Sequence, residues 1–235
     1  RLSTVNMSWF ANLFSGQAIP DQRLPIEQQQ RLRDWRQSSG PDLTLPHHQS
    51  RYVVVDVEGG NPESRADRPL VIGALAVDHG VIDFQDAFHL SLNQGIEPTD
   101  ASPQAFDLRA AEGLIDFLHF VGKAPLVVYH SMFAAKTIAR TLAHQLRVEM
   151  MQPWLDLALV MSDLFRDVGE NNWHLDSWLN HFGIESIDRH RAVSDALATA
   201  QLPQIKMARA ARNGIPSPQN LLELEKARRH MYSDG

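Results

Sequence analysis

The amino-acid sequence predicts an α/β protein. Its expected core is a mixed five-stranded sheet, an antiparallel meander followed by parallel strands, with helices on both faces. Three observations lead there. Tyr52–Glu58, Leu70–Val77 and Val81–Leu92 read as consecutive strands, with Asp78-His79-Gly80 as a tight turn between the last two. From Leu108 onward, helical and strand patterns alternate. No Gly-rich phosphate loop joins the first strand to a helix, which excludes a Rossmann dinucleotide fold.

Each element has its own warrant. YVVVDVE (Tyr52–Glu58) is β-branched and nearly continuous, the pattern of a strand buried on both faces. LVIGALAV (Leu70–Val77) is a second such run, and Val81–Leu92 pairs back against it. Leu108, Leu114, Ile115, Leu118 and Val121 mark a helix, and PLVVYH (Pro125–His130) a fourth strand. Ile138, Leu142 and Leu146 place a helix over Met132–Leu146. Trp154–Leu157 reads as a fifth strand before a helical Ala158–Phe165. Leu175–Phe182 is a short helix ended by Gly183, and Ala192–Arg212 a longer one that Pro203 is expected to kink or interrupt. Leu221–Arg229 reads as a solvated helix of mixed charge.

Residues 1–50 are expected to form a helical extension, 51–213 the main domain and 214–235 a helical tail. In the extension, Trp9, Phe10, Leu13 and Phe14 outline a short helical face. Glu27–Arg36 carries Leu32 and Trp35 among polar residues before Ser38-Ser39-Gly40-Pro41 breaks it. Such an arm either packs its aromatics on the domain or docks a partner or membrane surface.

Composition narrows the function. At 43% hydrophobic and 21% charged residues the chain is globular rather than disordered. The absence of cysteine removes disulfides, thiolate metal sites and a cysteine nucleophile. A net charge of −6 argues against a basic protein that coats nucleic acid. It does not argue against an enzyme that meets phosphates through bound metal. No run approaches the ~20 apolar residues of a membrane helix, so the expectation is a cytoplasmic protein without a membrane partner.

Two segments carry chemistry. Asp56 and Glu58, two apart on a strand, project from one face near its C-terminal end. Burying both is costly without a cation or donors, and paired hard oxygens suit Mg²⁺ or Mn²⁺. The plainer alternative is a solvated loop edge. The second segment is RHRAVSDALATA (Arg189–Ala200), where His190 precedes a helix and Asp195 lies in its first turns. An imidazole has an ordinary pKa suited to a general base at neutral pH, although a lone histidine is more often a surface residue.

Together these residues resemble the DnaQ-like, or DEDDh, family of 3′–5′ exonucleases on the ribonuclease-H-like fold. The ordered set is YVVVDVE, VIGALAV with its DHG turn, APLVVYHSMF, WLDLA, LDSWLNHFGI and RHRAVSDALATAQL, spanning about Tyr52 to Leu202. The resemblance implies two Mg²⁺ or Mn²⁺ ions bridged by Asp56, with Glu58 and Asp195 completing the coordination of one of them. It implies His190 as the base that takes a proton from the attacking water. The substrate would be a single-stranded or frayed 3′ end of DNA or RNA, and the product a nucleoside 5′-monophosphate. Gly59, Gly60, His130 and Arg189 are the expected substrate contacts.

The sequence also departs from the family pattern. The third acidic residue follows a His and a Phe at a helix start, and here His130-Ser131-Met132-Phe133 leads to Ala134. A longer spacing would point to Ala135, which is not acidic either. Asp156 in WLDLA reads as structural rather than as a replacement. Gly59-Gly60-Asn61 stands where the family has Thr residues and then Gly, and Gln94-Gly95-Ile96 matches a family His-Gly-Ile in part. Two readings follow: a metal-dependent exonuclease of reduced activity, and a degenerate domain that binds nucleic acid, nucleotides or a protein without cutting. A third treats the acids as ordinary surface residues.

Overall fold

The valine run that begins the domain lies at the centre of the sheet. In the computed structural model, which describes residues 22–59, 70–92, 106–130, 132–165, 174–184 and 192–233, the strands are β1 (Arg51–Glu58), β2 (Leu70–Asp78), β3 (Val81–Leu92), β4 (Leu126–Val128) and β5 (Trp154–Asp156). Their order is β3-β2-β1-β4-β5. β1 pairs antiparallel with β2 and parallel with β4, and β4 is parallel to β5. The mixed α/β sheet is as the sequence predicts.

The helices are α1 (Ile26–Gln37), α2 (Leu108–Val121), α3 (Met132–Leu146), α4 (Leu157–Leu164), α5 (Leu175–His181), α6 (Ala192–Arg212) and α7 (Pro218–Ser233). Alternation along β1 divides the core in two. Val53 and Val55 face Leu114, Ile115 and Leu118 of α2 and Ile138, Leu142 and Leu146 of α3. Tyr52 and Val54 face Leu75, Val77 and the α6 residues Ala198, Ala200 and Leu202. The face that carries the even-numbered residues of β1 is therefore the face on which α6 packs.

Local chemistry sets the element ends. Asp107 caps α2 by accepting from the Ala110 N–H at 3.0 Å. Gly183, at φ 65°, closes α5 in a Schellman turn with Ile184 N–H donating to Leu179 O at 2.8 Å. β5 stops at Asp156 rather than Leu157 because the Asp156 carboxylate caps α4, accepting from Ala158 N–H at 3.0 Å.

Two expectations need correction. Pro203 does not interrupt α6, which runs unbroken through it. The proline leaves one carbonyl without its helical donor, and Leu202, 0% exposed, anchors the helix to the sheet at that point. The tail helix α7 is not simply solvated. Leu221 and Glu225 are buried, Arg228 grips Asp163 of α4 through Nε and Nη2, and Arg229 pairs with Glu225. Mixed charge hid a helix that packs Leu221, Leu222 and Leu224 against the core and pairs one arginine across an interface and one within its own turns.

The arm packs on the domain over its described part. Leu24, Leu32 and Trp35 join the α2–α3 core, Trp35 Nε1 donates to Gly122 O at 3.0 Å, and Lys123 Nζ sits 3.3 Å from the Trp35 ring centroid. Trp9, Phe10, Leu13 and Phe14 lie outside the described residues.

Candidate metal centre

The site begins with strand alternation. Asp56 and Glu58 share a face with Tyr52 and Val54, and burial falls from complete at Val54 to partial at both acids. They emerge where the core ends, at the C-terminal edge of the central strand. On the same face, α6 brings Asp195 from its first turn. One carboxylate oxygen from each of Asp56, Glu58 and Asp195 lies within 4.8 Å of the others.

Three half-buried carboxylates at that spacing repel one another in the absence of compensating charge. All-oxygen donors of this kind fit a hard divalent cation such as Mg²⁺ or Mn²⁺ and not a thiophilic metal. The donor set therefore fits the metal that the sequence resemblance implies. It is the only cluster of at least three His, Asp or Glu groups with metal-binding spacing among the described residues.

The neighbouring elements complete the edge. β4 runs parallel to β1, so the start of α3 falls beside the C-terminal end of β1. Ala134 and Ala135 both point inward, with Ala134 0% exposed, whereas Phe133 in the same turn is 40% exposed. His130 is exposed at φ 50°, its backbone N–H donating to Asp156 Oδ1 at 2.7 Å. Asp156, 4% exposed, spends that oxygen on His130 and Ala158, so it holds two chain segments together and stands outside the cluster. Beside it, burial and the Asp156 charge push the Tyr129 hydroxyl above its usual pKa.

Of the residues singled out from sequence, the structure brings together Asp56, Glu58 and Asp195. Gly59 follows directly at φ 80°, a backbone conformation that favours glycine. Gly60, Arg189 and His190 lie outside the described residues. Lys136 and Arg140 are exposed on α3, and Trp178 is a core residue stacked on Phe182 at 5.9 Å. The positive φ of His130 had no signal in the sequence, since neither its residue type nor its neighbours demand one.

Comparison with known proteins fits this geometry. A PolC-type DNA polymerase III of Clostridium perfringens is 24% identical over 202 residues, which is 79% of this chain and 14% of that protein. A PolC-type DNA polymerase III of Thermotoga petrophila is 22% identical over 160 residues, 64% of this chain and 11% of that protein. Among solved structures, E. coli exonuclease I in complex with a dA16 oligonucleotide shares the fold at a TM-score of 0.51 and 20% identity. That match covers 74% of this chain and 42% of the other. The chain is similar to the DnaQ-like exonucleases in fold and in the order of its motifs.

Its fold is accordingly ribonuclease-H-like. The chain spans about one seventh of the first polymerase relative and less than half of exonuclease I. No family model matches it. No helix among the described residues is long and apolar enough to cross a membrane.

Proposed function

We propose that this DnaQ-like chain is a divalent-metal-dependent 3′–5′ exonuclease that removes nucleoside 5′-monophosphates from single-stranded or frayed 3′ ends. The observation that carries the reading is the convergence of Asp56, Glu58 and Asp195 at the C-terminal edge of the central strand. A weakly acidic protein gains a phosphate site at such a place because the carboxylates recruit cations, and cations recruit phosphates. When bound, Mg²⁺ or Mn²⁺ would lower the pKa of the attacking water and stabilise charge on the oxygens of the phosphodiester.

The chain's own groups would do the rest. Asp56, Glu58 and Asp195 would hold the cations. Asp195 is fixed by α6 and the other two by β1, so the donors come from rigid elements rather than loops. His190 precedes the first residue of α6 by two positions and is the proposed acceptor of the water's proton. Gly59, with Gly60, offers backbone free of side chains for close approach of the terminal nucleotide. His130 and Arg189 are proposed substrate contacts. Exonuclease I is seen with a single-stranded DNA oligonucleotide, which favours single-stranded DNA over RNA as the first substrate to try.

Ala134 favours a second reading. A fully buried methyl group in the first turn of α3 stands where the resemblance expects a carboxylate, so the domain is either a weakened nuclease or one that binds without cutting. One assay separates them: a 3′-labelled single-stranded oligonucleotide at high protein concentration, with Mn²⁺ or with EDTA. Stepwise release of mononucleotides with Mn²⁺, lost in EDTA and in Asp56→Asn, is the expected outcome. Retention of the oligonucleotide without release would support the non-catalytic reading, and neither binding nor release would overturn both.

A further inference from the structure

The register of the sheet places Gly73 of β2 directly opposite Asp56, and Val71 opposite Glu58. Side chains of directly opposed residues leave a sheet on the same face. A side chain at 73 would therefore project in the direction Asp56 points, toward the face that α6 covers. Further along this face of β2 come Leu75 and Val77, both buried against α6 in the same cluster. Gly73 is itself buried although it has no side chain to bury. At the level of the carboxylates, then, this face of β2 carries no side chain, whereas two positions further along it carries a leucine.

A glycine inside a strand weakens it and commonly marks a place where another segment comes close. The facing helix is made for close approach, with Ala196, Ala198 and Ala200 all buried at 0–1% exposure. Asp195 sits next to Ala196 at the head of that run. We infer that Gly73 is a positioning residue for the carboxylate cluster. By leaving the face beside Asp56 unfilled, it lets the first turns of α6 settle onto the sheet and brings Asp195 within reach of Asp56 and Glu58. The inference rests on the proposed reading of that cluster as a cation site, and it adds what sets the separation of its donors.

The test compares Gly73→Ala and Gly73→Val with Ala74→Val. Ala74 is the next residue on β2, 0% exposed, and belongs to the opposite face with α2. Ala74→Val therefore overpacks the sheet without touching α6. Mn²⁺ affinity of the purified chain is read by electron paramagnetic resonance in the absence of nucleic acid. Removing groups that support metal ligands typically lowers affinity about 10–100-fold, which is the loss expected for Gly73→Val. A smaller loss is expected for Gly73→Ala, and none for Ala74→Val at a comparable drop in melting temperature. Wild-type affinity in Gly73→Val, or an equal loss in Ala74→Val, would overturn the inference.

A chain that binds no Mn²⁺ in its native sequence would instead sink the cation reading itself. The positioning role is then decided by crystal structures of the native chain and Gly73→Val. A wider separation of Asp56 and Asp195 in the variant supports it, and an unchanged one rejects it.

Discussion

The backbone N–H of His130 donates to Oδ1 of Asp156 at 2.7 Å, and the same oxygen accepts from Ala158 N–H at 3.0 Å. One atom thus ties the left-handed turn after β4 to the start of α4. Because both bonds end on Oδ1, the carbonyl of an asparagine can receive them both. Asp156→Asn should cost about 1 kcal/mol. Asp156→Ala should cost about 2–4 kcal/mol, the sum of a lost helix cap and a lost charge-assisted bond. Urea unfolding measures the difference, and equal costs for the two variants would contradict this account.

The contrast between that turn and the strands shows what the sequence makes legible. Val53, Val54 and Val55 announce a central strand because β-branched side chains suit a pleat buried on both faces, and all three are at most 3% exposed. Asp56 and Glu58 are readable for a related reason: alternation alone places both on one face. Asp195 is legible only through the family resemblance, because no spacing rule links a helix residue to a strand about 140 positions earlier. His130 was not readable as a turn. Its conformation is supported by a carboxylate 26 residues away. Pro203 misled because local breaking rules ignore the burial that holds a helix on its sheet, and α7 misled because the partner of Arg228, Asp163, lies on another helix.

His47 provides a titration to follow. Its Nε2 faces the Ile215 carbonyl at 2.9 Å, so that nitrogen carries the hydrogen, and Nδ1 at 2.7 Å accepts from the Tyr52 hydroxyl. Burial, the largest effect, pushes the imidazole below its usual value, aided by His48 and opposed by the Ile215 carbonyl. A lowered folded pKa means that the unfolded chain binds the proton first as pH falls. Stability is therefore fully present above about 6.5 and declines as pH drops from there toward the folded value. Denaturant midpoints between pH 7.5 and 5 should fall for the native chain and fall less for His47→Gln. Parallel slopes would assign the acid sensitivity elsewhere.

Trp35 tests whether the arm is part of the fold. The ring is 5% exposed, hydrogen-bonded to Gly122 O and covered by the Lys123 ammonium. Trp35→Ala should cost about 3–5 kcal/mol, as expected for a buried aromatic. It should do so in one cooperative transition. A separate early transition for the arm, with the main midpoint unchanged, would show that α1 is an appendage.

The carboxylate cluster predicts an inversion between metal-free and metal-loaded stability. Without cations, Asp195→Asn relieves repulsion among three partly exposed charges and should raise stability by about 1 kcal/mol, the modest value reflecting solvent screening. With saturating Mn²⁺ the order should reverse, because the native chain gains binding energy that the variant loses. Thermal melts in EDTA and in Mn²⁺ decide it. A variant less stable under both conditions would mean that Asp195 serves packing rather than a cation.

Ala134 allows the sharpest test of what the family pattern lacks here. It heads the stripe Ala134, Ile138, Leu142 and Leu146, in which every member is 0% exposed, while Ala135 one step round the helix is 6% exposed. An aspartate introduced at 134 has no route to solvent, so in EDTA Ala134→Asp should lose about 3–5 kcal/mol, the range for an uncompensated buried charge. If the position adjoins the cation site, Mn²⁺ returns much of that loss and cleavage of a single-stranded 3′ end rises above the native rate. Ala135→Asp runs alongside, because the longer family spacing would place the carboxylate there. The variant that shows a metal-dependent recovery identifies the missing ligand position. A destabilisation unmoved by Mn²⁺ in both would mean that the first turn of α3 faces the apolar core alone and that Asp56, Glu58 and Asp195 hold cations without a contribution from it.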